Sequence, residues 1–477
     1  MYKLPIKILF AFLLTFIVFL SCGKKEDATV NPTPITPPVQ NLTPTVTKID
    51  PVSSLLGSTV TITGTNFTGA TKVTFGDAPS ANFSVENATT IKAVVSGGTS
   101  DKITVTTPKG EATISGFTTT YAAPTSGKLP AAFTGGVALG FPRVADRGNT
   151  LGDINVVVVF VDFSDAAATK TPEQIFNDNL SPHAENFMAA NSYGKANLKF
   201  IPNFKWFRMS KPSTGYNWNA LTALSHRDYI QEAMKLADQS TDFTKGDMVL
   251  VVANPEATAI FNGPTFTGNA SFNVVGDGKV FRNAITSGRD LVLWKPGTWY
   301  CHELGHSLGL VDLYLYNPGA GLSNLKFIGQ HSTMGNQGGV SPEYLGFERW
   351  QLGWLDDKQV VSETTAGTNY LTITPIEKQG GMKLLVLPIG TNSAVVVESR
   401  RKQGYNVNIP KEGPLVYLID TKVASGTGTI KVLPIDESDA VKTKNILSVS
   451  ESITYGNITI TYDSKSSDGD VIKFQRN

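Results

Sequence analysis

The chain has 477 residues, too many for one hydrophobic core, so about two to four domains are expected. Hydrophobic residues make up 41% and charged residues 17%, the balance of a globular soluble protein. A net charge of +1 leaves no basic excess to suggest nucleic acid as a partner, while 44 glycines and 26 prolines favour β structure and turns.

Lys3 and Lys7 precede an apolar run over 8–20, too short for a membrane span and suited to a signal peptide over 1–21. Phe19, Leu20, Ser21 and Cys22 resemble the end of a bacterial lipoprotein signal, although the usual leucine three places before the cysteine is here Phe19. The resemblance implies lipidation of Cys22 and a membrane anchor, with the outer membrane or cell surface favoured by the charged run Lys24, Lys25, Glu26 and Asp27. Residues 22–44 are rich in Pro and Thr and read as an extended tether. Cys301 is the other cysteine of the two, so no disulfide framework is expected.

From 45 to 121 short alternating strands (60–63, 72–75, 90–95, 102–106) are separated by Gly, Asn, Asp and Pro, the pattern of a small antiparallel sandwich. Ile49, Asp50 and Pro51, then Gly57, Gly64, Asn66 and Phe67, and Phe75 with Gly76 resemble the TIG/IPT immunoglobulin-like family. Such domains serve as spacers and as sugar or protein binders, and with no aromatic platform or ligand cluster in 45–121 a spacer is the favoured expectation. Residues 122–150 read as a Gly/Pro/Ala-rich linker.

The β-branched run 154–163 looks like a strand covered on both faces, and 248–253 like a second one. Helices are expected from Pro172 to Leu180, over 183–191, and over 225–237 with Ser225 as cap; weaker strands are expected at 271–275, 280–286 and 290–293. This is an α/β arrangement over 151–358. Alternating strands from 371 to 462 give a C-terminal β module over 359–477.

The chemistry centres on His302-Glu303-x-x-His306. Four residues apart on a helix, the two imidazoles leave one face a turn apart and suit two ligands of one Zn2+, with Glu303 beside the metal as general base. Two of the chain's five histidines are used here; His183, His226 and His331 lack ligand spacing. Two carboxylates compete for the third ligand. Asp312 follows Gly309, which can turn the chain back to the metal, and is favoured on spacing. Glu348 would come from a second helix capped by Ser341 and Pro342. Tyr314 and Tyr344 are candidate oxyanion donors, Met334 a candidate apolar floor, and Cys301 a small buried residue behind the helix.

Taken together, His302 to Tyr314, Ser332 to Gly335, and Ser341 to Trp354 resemble the immune inhibitor A family of secreted bacterial metallopeptidases, and the likeness extends over about 150–420. It implies a zincin-type catalytic domain, zinc held by His302, His306 and one carboxylate, Glu303 as base, and protein or peptide substrates. A monomer is expected. No long pro-peptide is evident, so the resemblance does not supply an activation route. The alternative expectation is a non-catalytic surface adhesin or glycan binder on a peptidase-like scaffold.

Overall fold

The computed structural model describes residues 42–320, 322–435 and 445–477. The signal, Cys22 and the tether up to residue 41 lie outside the described residues. No helix among the described residues is long and apolar enough to cross a membrane.

Residues 45–120 form a sandwich of two four-stranded sheets. One has the order Thr45–Asp50, Thr59–Thr65, Thr90–Val94, Phe83–Asn87; the other Ala78–Pro79, Lys72–Phe75, Ile103–Thr107, Gly110–Ile114. Alternation explains it: Val60 and Ile62, Val73 and Phe75, and Ile103 and Val105 all point into one core, with the intervening Thr and Lys residues outside. The sandwich is not isolated. Gly97 N donates to Tyr370 O at 2.9 Å and Thr372 N to Gly97 O at 2.8 Å, joining it to the strand Gly367–Ile373.

The linker expected over 122–150 is instead a strap packed onto the next domain. Leu129 and Leu139 are buried in that domain's core, and Gly148 N and the Arg143 guanidinium bond the Ser307 and Leu308 carbonyls at 2.9 and 3.0 Å. Its small residues permit close approach and do not confer looseness.

A five-stranded sheet follows, ordered Ala196–Arg208, Gly152–Asp162, Met248–Ala253, Asn283–Ser287, Thr265–Thr267. The first four strands are parallel and the edge strand Thr265–Thr267 is antiparallel. Val156, Val158 and Phe160 face helices α1 (Pro172–Asn179) and α2 (His183–Ser192), whereas Val157, Val159 and Val161 face α3 (Ala223–Ala237). A strand buried on both faces needs the continuous apolar run seen here.

Three local expectations are corrected. Arg289–Val292 is a 3-10 turn and not a strand, because the Asp290 carboxylate accepts from Gly288 N, Gly263 N and the Trp299 indole and so curls the chain. Helix α3 begins at Ala223, with Thr222 as its cap and Ser225 returning a bond to Thr222 N at 2.9 Å. Helix α5 spans Gly346–Gln351, so Ser341 and Pro342 precede it by a loop and do not cap it.

The C-terminal region has two sheets, ordered Val360–Ser362, Leu384–Gly390, Ser393–Arg400, Gly413–Asp420, Ile430–Val432 and Gly367–Ile373, Asp470–Arg476, Ile458–Lys465, Ser452–Tyr455. One face of the first sheet packs on the second. Its other face, with Leu384, Val386, Val396, Leu415 and Tyr417, lies in the same core as Leu304, Phe347 and Trp350. Residue 358 therefore separates two patterns of secondary structure and not two cores. Buried pairs Arg349–Glu343 and Arg400–Glu398, each 2.6 Å, lie at this junction.

Candidate metal centre

Helix α4 (Thr298–Ser307) is buried along most of its length and is capped by Leu308, after which Gly309 leaves the helical conformation. Gly309 has φ +99, a value that favours glycine and reverses the chain. The reversal returns Asp312 to the face that carries the two histidines. Asp312 Oδ1 lies 3.1 Å from His302 Nε2 and 3.3 Å from His306 Nε2.

The three atoms converge more than they bond. Asp312 Oδ1 is buried with no N–H or O–H aligned on it, although both Nε2 atoms are within ion-pair distance. Each histidine uses its other nitrogen elsewhere: His302 Nδ1 donates to Thr333 O at 2.8 Å and His306 Nδ1 to Leu310 O at 3.1 Å. With Nδ1 carrying the proton, each neutral ring offers an Nε2 lone pair to the same point. Among the described residues, this trio is the group whose ligand atoms all lie within 4.8 Å of one another. Two imidazoles, one carboxylate and an open side suit a catalytic Zn2+.

The carboxylate and the two rings shift one another's ionisation. Burial alone lowers the His306 pKa, but the Asp312 carboxylate more than reverses this and raises it to about 9. His302 is raised by the same competition. Burial pushes Asp312 up, yet the two imidazoles hold it well below the usual carboxylate range.

Glu303 leaves α4 beside the trio. Its Oε2 lies 2.8 Å from the Thr265 hydroxyl on the edge strand, and its Oε1 is 3.9 Å from His302 Nε2. The carboxylate lines a cleft of 620 Å³ together with His302, His306, Asp312, Tyr314, Trp294 and Ser425. Met334 packs against the backbone of α4, where a Cβ on Gly305 would stand 2.5 Å from its Sδ.

The other candidates divide. Tyr314 reaches the cleft and stacks on the His302 ring, with centroids 6.1 Å apart. Glu348 is not with the trio: its Oε2 accepts from Ser332 Oγ at 2.8 Å and from Leu345 N at 2.7 Å, closing the start of α5, and burial raises it to about 7. Tyr344 is fully buried behind α4, where its hydroxyl donates to Cys301 O at 2.5 Å, so it cannot serve an oxyanion in the cleft. Cys301 is buried as expected. His226 sits on α3, bonded to Thr286 Oγ1 at 2.9 Å and pushed down to about 4 by burial. His183 opens α2, and His331 is buried in the loop before Met334.

Sequence reasoning missed Thr265, Tyr316 and Ser425. The Tyr316 hydroxyl donates to Asp312 Oδ2, and Ser425 Oγ accepts from Asp312 N at 2.9 Å. Tyr316 had a readable signal, its position four residues after Asp312; Thr265 and Ser425 are brought in by the fold alone.

Residues 44–123 match the IPT/TIG domain family, which assigns the sandwich. No curated protein matches the chain. Similar solved structures include SGBP-B from a complex xyloglucan utilization locus in Bacteroides uniformis, 20% identical with a TM-score of 0.15, covering 19% of this chain and 26% of that one. A structural genomics protein of unknown function from Bacteroides thetaiotaomicron is 17% identical with a TM-score of 0.15, covering 24% of this chain and 30% of that one. The chain thus spans less than a third of either.

Proposed function

We propose that the protein is a zinc metalloendopeptidase with a zincin-type α/β domain of the immune inhibitor A kind, held at a bacterial cell surface by a lipid on Cys22. The observation that carries this reading is the convergence of His302 Nε2, His306 Nε2 and Asp312 Oδ1 beside the Glu303 carboxylate on one cleft wall. A purely structural zinc site has no use for a carboxylate at Glu303 or for an open cleft.

His302, His306 and Asp312 would hold Zn2+, which would supply Lewis acidity toward a carbonyl and lower the pKa of water towards neutrality. Glu303 accepts the proton of the attacking water and returns it to the departing amine. The Thr265 hydroxyl, 2.8 Å from Glu303 Oε2, holds that carboxylate toward the cleft. Tyr314, stacked on the His302 ring at the cleft wall, supplies a phenol O–H for the developing oxyanion. The Nδ1 bonds to Thr333 O and Leu310 O keep the imidazole planes fixed through the cycle.

A direct test is hydrolysis of casein by the purified protein with and without a chelator. Cleavage that stops with chelation and returns with stoichiometric zinc supports the reading; cleavage indifferent to the chelator contradicts it.

A second reading is a non-catalytic surface adhesin or glycan binder on the same scaffold, and the IPT/TIG domain over 44–123 is what favours it. It requires full-length protein that holds zinc and binds polysaccharide yet releases no peptide from any protein substrate.

A further inference from the structure

Asp312 is held by a loop that lies 113 residues further along the chain. Between Gly309 and Tyr316 the chain has no helix or strand to fix it. Its support comes from the loop between the C-terminal strands Gly413–Asp420 and Ile430–Val432. Asp312 N donates to Ser425 Oγ at 2.9 Å, Gly426 N donates to Asp312 O at 3.0 Å, and Tyr316 N donates to Gly426 O at 2.8 Å. Ser425 Oγ is also 3.2 Å from the Tyr316 hydroxyl, whose proton goes to Asp312 Oδ2.

Every polar group of Asp312 except Oδ1 is therefore occupied. A carboxylate has two equivalent oxygens and turns easily about its last torsion; the Tyr316 bond removes that equivalence and leaves Oδ1 for the histidine side. Gly426 makes the approach possible. It has φ +70, and a Cβ there would stand 2.3 Å from the Tyr316 ring. The loop is itself pinned, with Thr427 Oγ1 and Thr429 Oγ1 donating to Ala424 O at 2.7 and 3.1 Å.

We propose that Ser425 and Gly426 are positioning residues that clamp Asp312 and Tyr316, making the C-terminal β module part of the metal site. This rests on the reading of His302, His306 and Asp312 as zinc ligands. Partners that orient a metal ligand are typically worth about 10- to 100-fold in metal affinity. Ser425→Ala leaves Asp312 N without its acceptor, whereas Ser425→Thr keeps the hydroxyl. Gly426→Val drives Tyr316 away from Oδ2.

The experiment measures zinc affinity by chelator competition and the visible absorption of the Co2+-substituted full chain, with thermal unfolding of the metal-free protein as control. For Ser425→Ala the expected result is a loss of about 10-fold in affinity and an altered Co2+ spectrum. Ser425→Thr should return most of both, and Gly426→Val should lose about 100-fold. If Gly426→Val does not fold, the Ser425 pair decides alone. Wild-type affinity and spectrum in Ser425→Ala, while Asp312→Ala still abolishes binding, overturns the clamp and leaves the zinc reading standing. A wild-type chain that binds no zinc overturns the zinc reading itself.

Discussion

Asp312 Oδ1 stands 3.1 Å from His302 Nε2, although the helix carrying His302 has ended before Asp312 begins its approach. The contact depends on a single backbone reversal at Gly309, where a Cβ would meet Arg143 Cγ at 3.1 Å and φ is +99. Gly309→Ala is therefore expected to cost about 1–2 kcal/mol of stability and to weaken zinc binding as Asp312 is displaced. Thermal unfolding and chelator competition on the same variant check both effects.

The two acidic candidates should separate cleanly. Asp312→Ala removes one of three converging ligands and should leave the purified protein without stoichiometric zinc. Glu348→Ala should keep its zinc and lose about 1–3 kcal/mol of stability, because Ser332 Oγ and Leu345 N lose their buried acceptor. Metal analysis alongside denaturant unfolding distinguishes the two.

The metal-free site should be stabilising in a defined pH window. His306 is raised to about 9, so its contribution is fully present below the ordinary histidine value near 6.5 and disappears as pH rises through 9. Asp312 is depressed, so its contribution is present above the usual carboxylate pKa of 3.8 and disappears as pH falls through its lower folded-state value. Zinc must displace the His306 proton, so its apparent affinity should rise about tenfold per pH unit from pH 6.5 to 9. Calorimetric titration in buffers of different ionisation enthalpy reads the released proton; a pH-independent affinity would contradict the coupling.

Tyr314→Phe should retain zinc and lower kcat on the order of 100-fold with little change in KM, since the phenol is assigned to the developing oxyanion. A change confined to KM would make Tyr314 a substrate contact. Wild-type kinetics would remove it from the mechanism.

What the sequence made legible was local. His302 and His306 share a helix face, Gly309 and Asp312 follow within one turn of chain, and the sandwich strands alternate with period two, as in Thr59–Thr65. What it hid depended on distant partners. The strand Ala196–Arg208 alternates only over its first five residues; Ile201 and Pro202 then break the period, and its later half is a partly exposed edge that no apolar pattern announces. Tyr344 reads from sequence as a candidate oxyanion donor, but packing turns it to Cys301 O behind α4. Ser425 sits in a loop of small residues with no periodicity, and only the pairing of the C-terminal sheet brings it to Asp312. The 122–150 segment reads as a linker because it is rich in small residues, yet Leu129 and Leu139 anchor it in the core and Arg143 bonds the Leu308 carbonyl.

The most direct measurement is casein cleavage by Glu303→Gln beside the wild-type protein, with bound zinc determined in both. The expected result is one zinc per chain in each and a loss of at least about 1,000-fold in cleavage for the variant, since its amide cannot accept the water proton. Wild-type cleavage by zinc-loaded Glu303→Gln would contradict the assignment of Glu303 as the base and, with it, the reading of this cleft as a peptidase site.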